Sequence, residues 1–104
     1  PVSAHPLEPF AEKLAALGTV RSDSLAKHGG QRVAIAGVRL RMWGERRGLY
    51  TLEDEGGIFA VRRSGTRWPA AGALGKLGPY LIEGRVQVGK SGELTVLAER
   101  VTPL

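Results

Sequence analysis

Apolar residues recur at every second position over much of the chain, which is the period of a β-strand. The longest such stretch spans residues 32–43, and its apolar positions are Val33, Ile35, Val38, Leu40 and Met42. The alternation shifts by one position at Gly37. Glycine at such a shift is typical of a bulge or a bend. We therefore expect a long first strand that bends at Gly37, serves two sheets at once and so closes a small barrel.

Four further segments of the same period predict four more strands, at residues 49–53, 58–63, 79–88 and 93–101. Short polar or glycine-containing turns separate most of them. The stretch 64–78 is too rich in glycine for a strong helix, and we interpret it as a loop or short helix that plugs one end of a barrel. Three strands, an irregular plug and two more strands is the order of a five-stranded OB-fold barrel.

Two helical segments precede the strands. The first has an apolar stripe at Leu7, Phe10, Leu14 and Leu17 and ends at Gly18. The second, at residues 22–30, is one or two turns long, and Ser22, Asp23 and Ser24 are candidates to cap its start. We predict an all-β fold with a flanking helix: a helical lead-in at 1–30 and an OB-fold barrel at 31–104, together one compact domain.

Positive charge is concentrated in the middle of the chain. The 104 residues carry a net charge of +5, and residues 31–68 alone contribute +4, from eight basic and four acidic side chains. This pattern favours a polyanionic partner, although a solvated charged surface explains it equally well. The chain contains no cysteine, and no run approaches the roughly 18 apolar residues of a membrane span. We expect a cytoplasmic, monomeric domain that binds no membrane.

The candidate nucleic-acid-binding residues are basic or aromatic and lie on or near the first three strands. They are Arg39, Arg41, Trp43, Arg46, Arg47, Tyr50, Arg62, Arg63 and Arg67. Arginines hold a phosphate backbone, and an aromatic ring stacks on a base for about 1–3 kcal/mol. The alternative is that the arginines only solubilise the barrel and that Trp43 and Tyr50 belong to its core. For Phe59 an inward position is the favoured interpretation.

The remaining polar clusters predict no catalytic site. Glu53, Asp54 and Glu55 are interpreted as a polar turn in which Asp54 bonds its own backbone, rather than as a metal site. His5 and His28 are far apart and are assigned to helix ends or solvent. The sequence has no phosphate-binding loop, dinucleotide motif or zinc-ligand spacing. We therefore expect no cofactor and no metal.

Several motifs together resemble the OB-fold region of the alpha subunit of bacterial DNA polymerase III, in its replicative or error-prone branch. They are His5-Pro6-Leu7, the segments 30–37 and 48–57, Gly84-Arg85-Val86, and Ala98-Glu99-Arg100-Val101. The resemblance covers nearly the whole chain. It implies a module that holds single-stranded template DNA during replication or translesion synthesis, with the catalytic carboxylates in other domains of the parent polymerase. The sequence departs from the pattern at Arg62-Arg63-Ser64-Gly65.

Two other functions fit the same pattern. An anticodon-binding barrel of a class II aminoacyl-tRNA synthetase shares the first-strand glycine and the Asp-x-x-Gly turn, although the helix near His5 argues against it. A protein-docking barrel would show an apolar patch where nucleic acid needs exposed Arg39, Arg41 and Trp43. The chain begins with Pro1 rather than Met, and we therefore expect a segment of a larger protein.

Overall fold

A closed barrel of five strands forms the body of the protein. The computed structural model describes residues 6–39, 48–63 and 78–104. The strands are β1 (Arg32–Arg39), β2 (Leu49–Asp54), β3 (Gly57–Arg63), β4 (Tyr80–Val88) and β5 (Leu94–Pro103). They close in the order β1-β2-β3-β5-β4, with β3 and β5 parallel and all other neighbours antiparallel. The predicted five-stranded OB-fold barrel is confirmed; almost all of the predicted plug at 64–78 lies outside the described residues.

The lead-in helix packs on the outside of the barrel. A 3₁₀ turn, Glu8–Phe10, runs into helix α1 (Ala11–Ala16). Leu7 and Leu14 are buried against Ala36 of β1 and Leu81 of β4, where the small alanine side chain lets the helix approach the sheet. Leu17 follows the last helical residue and is 47% exposed, so its predicted place in the buried stripe is wrong.

The barrel interior is built from aliphatic side chains of every strand. The fully buried ones are Ile35, Leu52, Val61, Ile82, Val86 and Val96. Phe59 joins this core, which confirms its predicted inward position. Leu25, from a 3₁₀ helix at Ser22–His28, also packs into the same cluster. The second predicted helical segment therefore forms and contributes directly to the core.

Gly37 marks the place where β1 changes partners. Residues 32–37 pair with β4, whereas Val38 and Arg39 pair with β2. The predicted double pairing of the first strand is therefore confirmed. The predicted shift in alternation is wrong, because Arg39 pairs with the fully buried Leu52 and so faces the same side as Ile35. Val38 lies on the outer face, although we expected it in the core.

Residue 37 is glycine because the barrel interior has no room there for a side chain. A Cβ atom at residue 37 would lie 2.6 Å from Cζ of the Phe59 ring, far inside van der Waals contact. The backbone of Gly37 does not need a left-handed conformation, since its φ is not among the positive values. The Phe59 ring therefore fills the inward space beside Gly37. A bulge at Gly37 does not account for this contact.

A buried carboxylate connects the second helix to the barrel. Asp54, at the end of β2, is 7% exposed. Its Oδ1 accepts hydrogen bonds from the Ser22 hydroxyl at 2.6 Å and the Gly56 N–H at 2.8 Å, and its Oδ2 accepts one from the Ser22 N–H at 2.7 Å. The predicted Asp54 turn is confirmed. The expected capping by the helix's own side chains is wrong, because Arg21 occupies the N-cap without a side-chain capping bond and Asp54 accepts from the first N–H.

We expect Gly37→Ala to destabilise the protein by about 1–3 kcal/mol, because the added methyl group overpacks the core at Phe59. Urea unfolding followed by circular dichroism measures the change. Combining it with Phe59→Leu should recover part of the loss, since the clashing ring atoms are then gone. Equal stability of Gly37→Ala and the wild type would contradict this account.

We expect Asp54→Ala to cost about 2–4 kcal/mol, because it removes three hydrogen bonds to a buried carboxylate and leaves two N–H groups without their acceptor. Ser22→Ala removes only the hydroxyl bond and should cost about 1 kcal/mol. The exposed neighbour Glu55 is the matched control, and its replacement by Ala should change stability by less than about 0.5 kcal/mol. The same unfolding assay ranks the three variants, and a different order would contradict the role of Asp54.

Candidate nucleic-acid interface

Three of the nine predicted binding residues have described side chains. Arg39 ends β1, Tyr50 lies in β2 and Arg62 lies in β3, so they belong to consecutive strands. The backbone of Arg63 is part of β3. The other predicted residues lie outside the described part of the chain; they are Arg41, Trp43, Arg46, Arg47 and Arg67. Their roles stay predictions.

Arg39 and Tyr50 form a stacked pair on the inward side of β1 and β2. The guanidinium carbon of Arg39 lies 5.1 Å from the centroid of the Tyr50 ring, which is a cation–π contact. Both side chains are half-buried, and Tyr50 also packs against the barrel core. Because Arg39 covers one face of the ring, a base that stacks on that face has to displace the guanidinium.

The outer face of β2 and β3 is mainly aliphatic and hydroxylic. Its residues alternate with the buried ones and are Leu49, Thr51, Glu53, Ile58, Ala60 and Arg62. Ile58 is 55% exposed. None of these six side chains is aromatic, because the aromatic residues of the two strands, Tyr50 and Phe59, point inward. This described face therefore offers phosphate and aliphatic contacts but no stacking platform.

Two arginines outside the predicted set lie in one row with Arg62 across the barrel wall. Arg62 and Arg85 both pair with Leu97 of β5, and Arg85 pairs with Arg32 of β1. All three arginines are exposed. Arg32 and Arg85 are far apart in sequence, and only the strand register shows that they are neighbours.

Arg32 and Arg85 differ in their partners. Nη2 of Arg32 lies 2.6 Å from each carboxylate oxygen of Glu99, and this hydrogen bond and charge raise the pKa of Arg32. Arg85 donates to the neutral carbonyl of Gly30 at 2.9 Å. Of these two contacts, only the one with Glu99 neutralises an arginine charge, that of Arg32.

Within residues 6–39, 48–63 and 78–104, no cluster of three or more histidine or acidic side chains is placed to hold a metal ion. The helices in these ranges are also too short and too polar to cross a membrane. His28 lies beside Gln31, with Nδ1 3.1 Å from the amide oxygen.

Comparison with known proteins identifies the fold and no family. No protein-family model matches the chain. No curated protein matches it either. Among solved structures, the hypothetical protein ygiW from E. coli superposes with a TM-score of 0.64 at 16% identity, over 83% of this chain and 89% of that chain.

Two other matching structures belong to much larger assemblies or chains. Asparaginyl-tRNA synthetase from Pyrococcus horikoshii matches with a TM-score of 0.64 and 20% identity over 83% of this chain, which spans only 22% of that chain. A chain of a replication protein A heterotrimer bound to single-stranded DNA matches with a TM-score of 0.54 and 16% identity, over 72% of this chain and 57% of that one. The chain is thus an OB-fold protein.

We expect Arg39→Gln to lower stability by about 0.5–1 kcal/mol, because it removes the cation over the Tyr50 ring. Arg62→Gln is the matched control. It removes the same charge from an exposed position of the neighbouring β3 and should change stability by less than about 0.5 kcal/mol. Urea unfolding of both variants tests the difference, and equal effects would mean that the stacked geometry contributes nothing measurable.

Proposed function

We propose that this barrel is a single-stranded DNA-binding module of a DNA polymerase III alpha-type polymerase. In this role it holds template DNA during replication or translesion synthesis, while other domains of the parent polymerase supply the catalytic site. The observation that carries the proposal is the exposed Arg62 on the outer face of β3, beside β2 in a closed OB-fold barrel. Arg39 stacks on Tyr50 on the inward side of β1 and β2, so it lies on the other face of the sheet. The motifs that resemble the polymerase III alpha subunit supply the choice of parent protein.

The shape and chemistry of the described surface support this proposal. OB-folds bind oligonucleotides across strands 2 and 3, which is where Tyr50 and Arg62 lie. The fold also matches a chain of a replication protein A heterotrimer that is bound to single-stranded DNA. Because the outer face of β2 and β3 holds arginine and aliphatic groups, binding should depend on phosphate contacts and show little sequence preference. We place the module in the cytoplasm as a monomeric unit, with residues 1–30 as its lead-in.

An anticodon-binding barrel is a second candidate, because the chain superposes on part of an asparaginyl-tRNA synthetase. The two candidates differ in the nucleic acid that they prefer. Competition between DNA and RNA oligomers of equal length and sequence separates them, and a clear preference for RNA would favour the synthetase. A reading frame of polymerase length around this segment would favour the polymerase.

Docking of another protein domain is a third candidate. The exposed Ile58 lies on the same outer face as Leu49 and Ala60, so that face presents aliphatic surface. If this surface docks protein alone, removing the charge of Arg62 should leave the affinity for nucleic acid unchanged.

We expect the domain to bind a fluorescein-labelled oligothymidine with a dissociation constant of about 1–100 µM, weakening as salt rises. Arg62→Gln should weaken binding and reduce the slope of log affinity against log salt by about 0.7, since it removes one phosphate contact. Fluorescence anisotropy measures both quantities.

Lys13→Gln is the matched control for Arg62→Gln, because it removes one exposed positive charge from α1. Its salt slope should equal that of the wild type. If the wild type fails to bind at low salt, the proposal is wrong for this domain. If Arg62→Gln and Lys13→Gln behave alike, binding is independent of the proposed site.

A further inference from the structure

Positive charge on the barrel extends well beyond the strands on which nucleic-acid binding was predicted. Arg62 of β3, Arg85 of β4 and Arg32 of β1 lie at one level of the barrel wall, linked by Leu97 of β5. We call these three residues the arginine row. It runs from the outer face used in the proposed function around to the opposite side of the barrel.

The arginine row faces outward throughout. Val61 and Val86, next in sequence to Arg62 and Arg85, are fully buried, and so is Val96, next to the linking Leu97. Since side chains alternate between the two faces of a strand, Arg62, Leu97 and Arg85 must point away from the core. The exposed Arg32 is paired with Arg85 and lies on the same face. All three guanidinium groups therefore reach solvent on one continuous surface.

The spacing of the row suits a chain of negative charges. Adjacent strands are about 4.8 Å apart, so Arg62 and Arg85 are about 10 Å apart at the backbone and Arg85 and Arg32 are about 5 Å apart. Like charges directly opposite each other in a sheet repel. Glu99 balances Arg32, whereas the Arg85 contact is to a neutral carbonyl. The row thus keeps a net positive charge that an anionic ligand can neutralise.

Beyond Arg32, the row leads into an open groove between β1, β4, β5 and the end of α1. The groove has a volume of about 620 Å³, and its charged lining is mixed: Arg32 and Arg100 are basic, whereas Glu83 and Glu99 are acidic. His28 and Gln31 complete the polar lining. Leu17 and Val33 contribute apolar lining. Leu17 is the apolar residue that the helix stripe leaves exposed, so the groove combines charged groups of both signs with apolar surface.

We propose that the arginine row binds the phosphodiester backbone of the same single strand, and that it carries the strand from β3 around the barrel into this groove. This inference rests on the proposed function and extends the binding path beyond β2 and β3. Glu99 is a built-in competitor, because its carboxylate occupies the donors of Arg32 that a phosphate oxygen would otherwise accept from. Binding then exchanges one anionic partner of Arg32 for another.

Removal of Glu99 provides the most specific test. Glu99→Gln should tighten binding of a long oligothymidine by about two- to fivefold at low salt, because Arg32 no longer has to give up an ion pair. Glu55→Gln is the matched control; it makes the same charge change in the β2–β3 turn, at the end of β3 remote from Arg62. Its effect should be clearly smaller.

Two further variants test whether the gain in affinity depends on the arginine row. Combining Glu99→Gln with Arg32→Gln should abolish the gain relative to Arg32→Gln alone, since Glu99 competes only through Arg32. Arg85→Gln should reduce the salt slope by about 0.7, as expected for one lost phosphate contact on a single strand. Fluorescence anisotropy across a salt series measures all of these variants.

The outcomes separate this inference from the proposed function. Binding by the wild type, with equal affinities for Glu99→Gln and Glu55→Gln and an unchanged slope for Arg85→Gln, would overturn the arginine row and leave the proposed function standing. A complete lack of wild-type binding at low salt would overturn both. The expected pattern is a gain for Glu99→Gln that depends on Arg32, together with a lower slope for Arg85→Gln.

Discussion

Closure of the barrel at Gly37 is the constraint on which the other features depend. β1 pairs with β4 up to Gly37 and with β2 after it, so this one strand joins both ends of the sheet. The join is possible because residue 37 has no side chain, and the Phe59 ring occupies the space that a Cβ atom there would fill. The closed barrel has a defined strand register. That register decides which arginines become neighbours and which aromatic rings point inward.

Much of the fold was predictable from local patterns, whereas the faces of β1 were not. Period-two alternation and turn residues placed four of the strands within one or two residues of their observed ends. At Gly37, two arrangements fit the same sequence: a bulge that reverses the faces, or a glycine that occupies an inward position. The choice depends on Phe59, which lies in another strand, and local pattern therefore assigned Val38 and Arg39 to the wrong sides.

The same limit applies to contacts between distant segments. The turn bond from Asp54 to Gly56 is local and was predicted, but the two bonds from Ser22 cross from the lead-in to the barrel. The arginine row is likewise a product of register, because Arg32 and Arg85 meet only when β1 pairs with β4. The positive charge of residues 31–68 indicated Arg62 as a candidate. It gave no reason to expect Arg85 on the same surface.

These side-chain positions determine which parts of the barrel surface are covered and which are exposed. Helix α1 covers the outside of β1 and β4 at Ala36 and Leu81, so that region is closed to a ligand. The aromatic rings of β2 and β3 are inside, and the exposed guanidinium groups lie outside on β3, β4 and β1. A ligand bound to this surface contacts mainly the charged guanidinium groups, with aliphatic side chains beside them. Such an interface favours a flexible phosphate backbone over a particular base sequence, since guanidinium groups bind phosphate irrespective of the base attached to it.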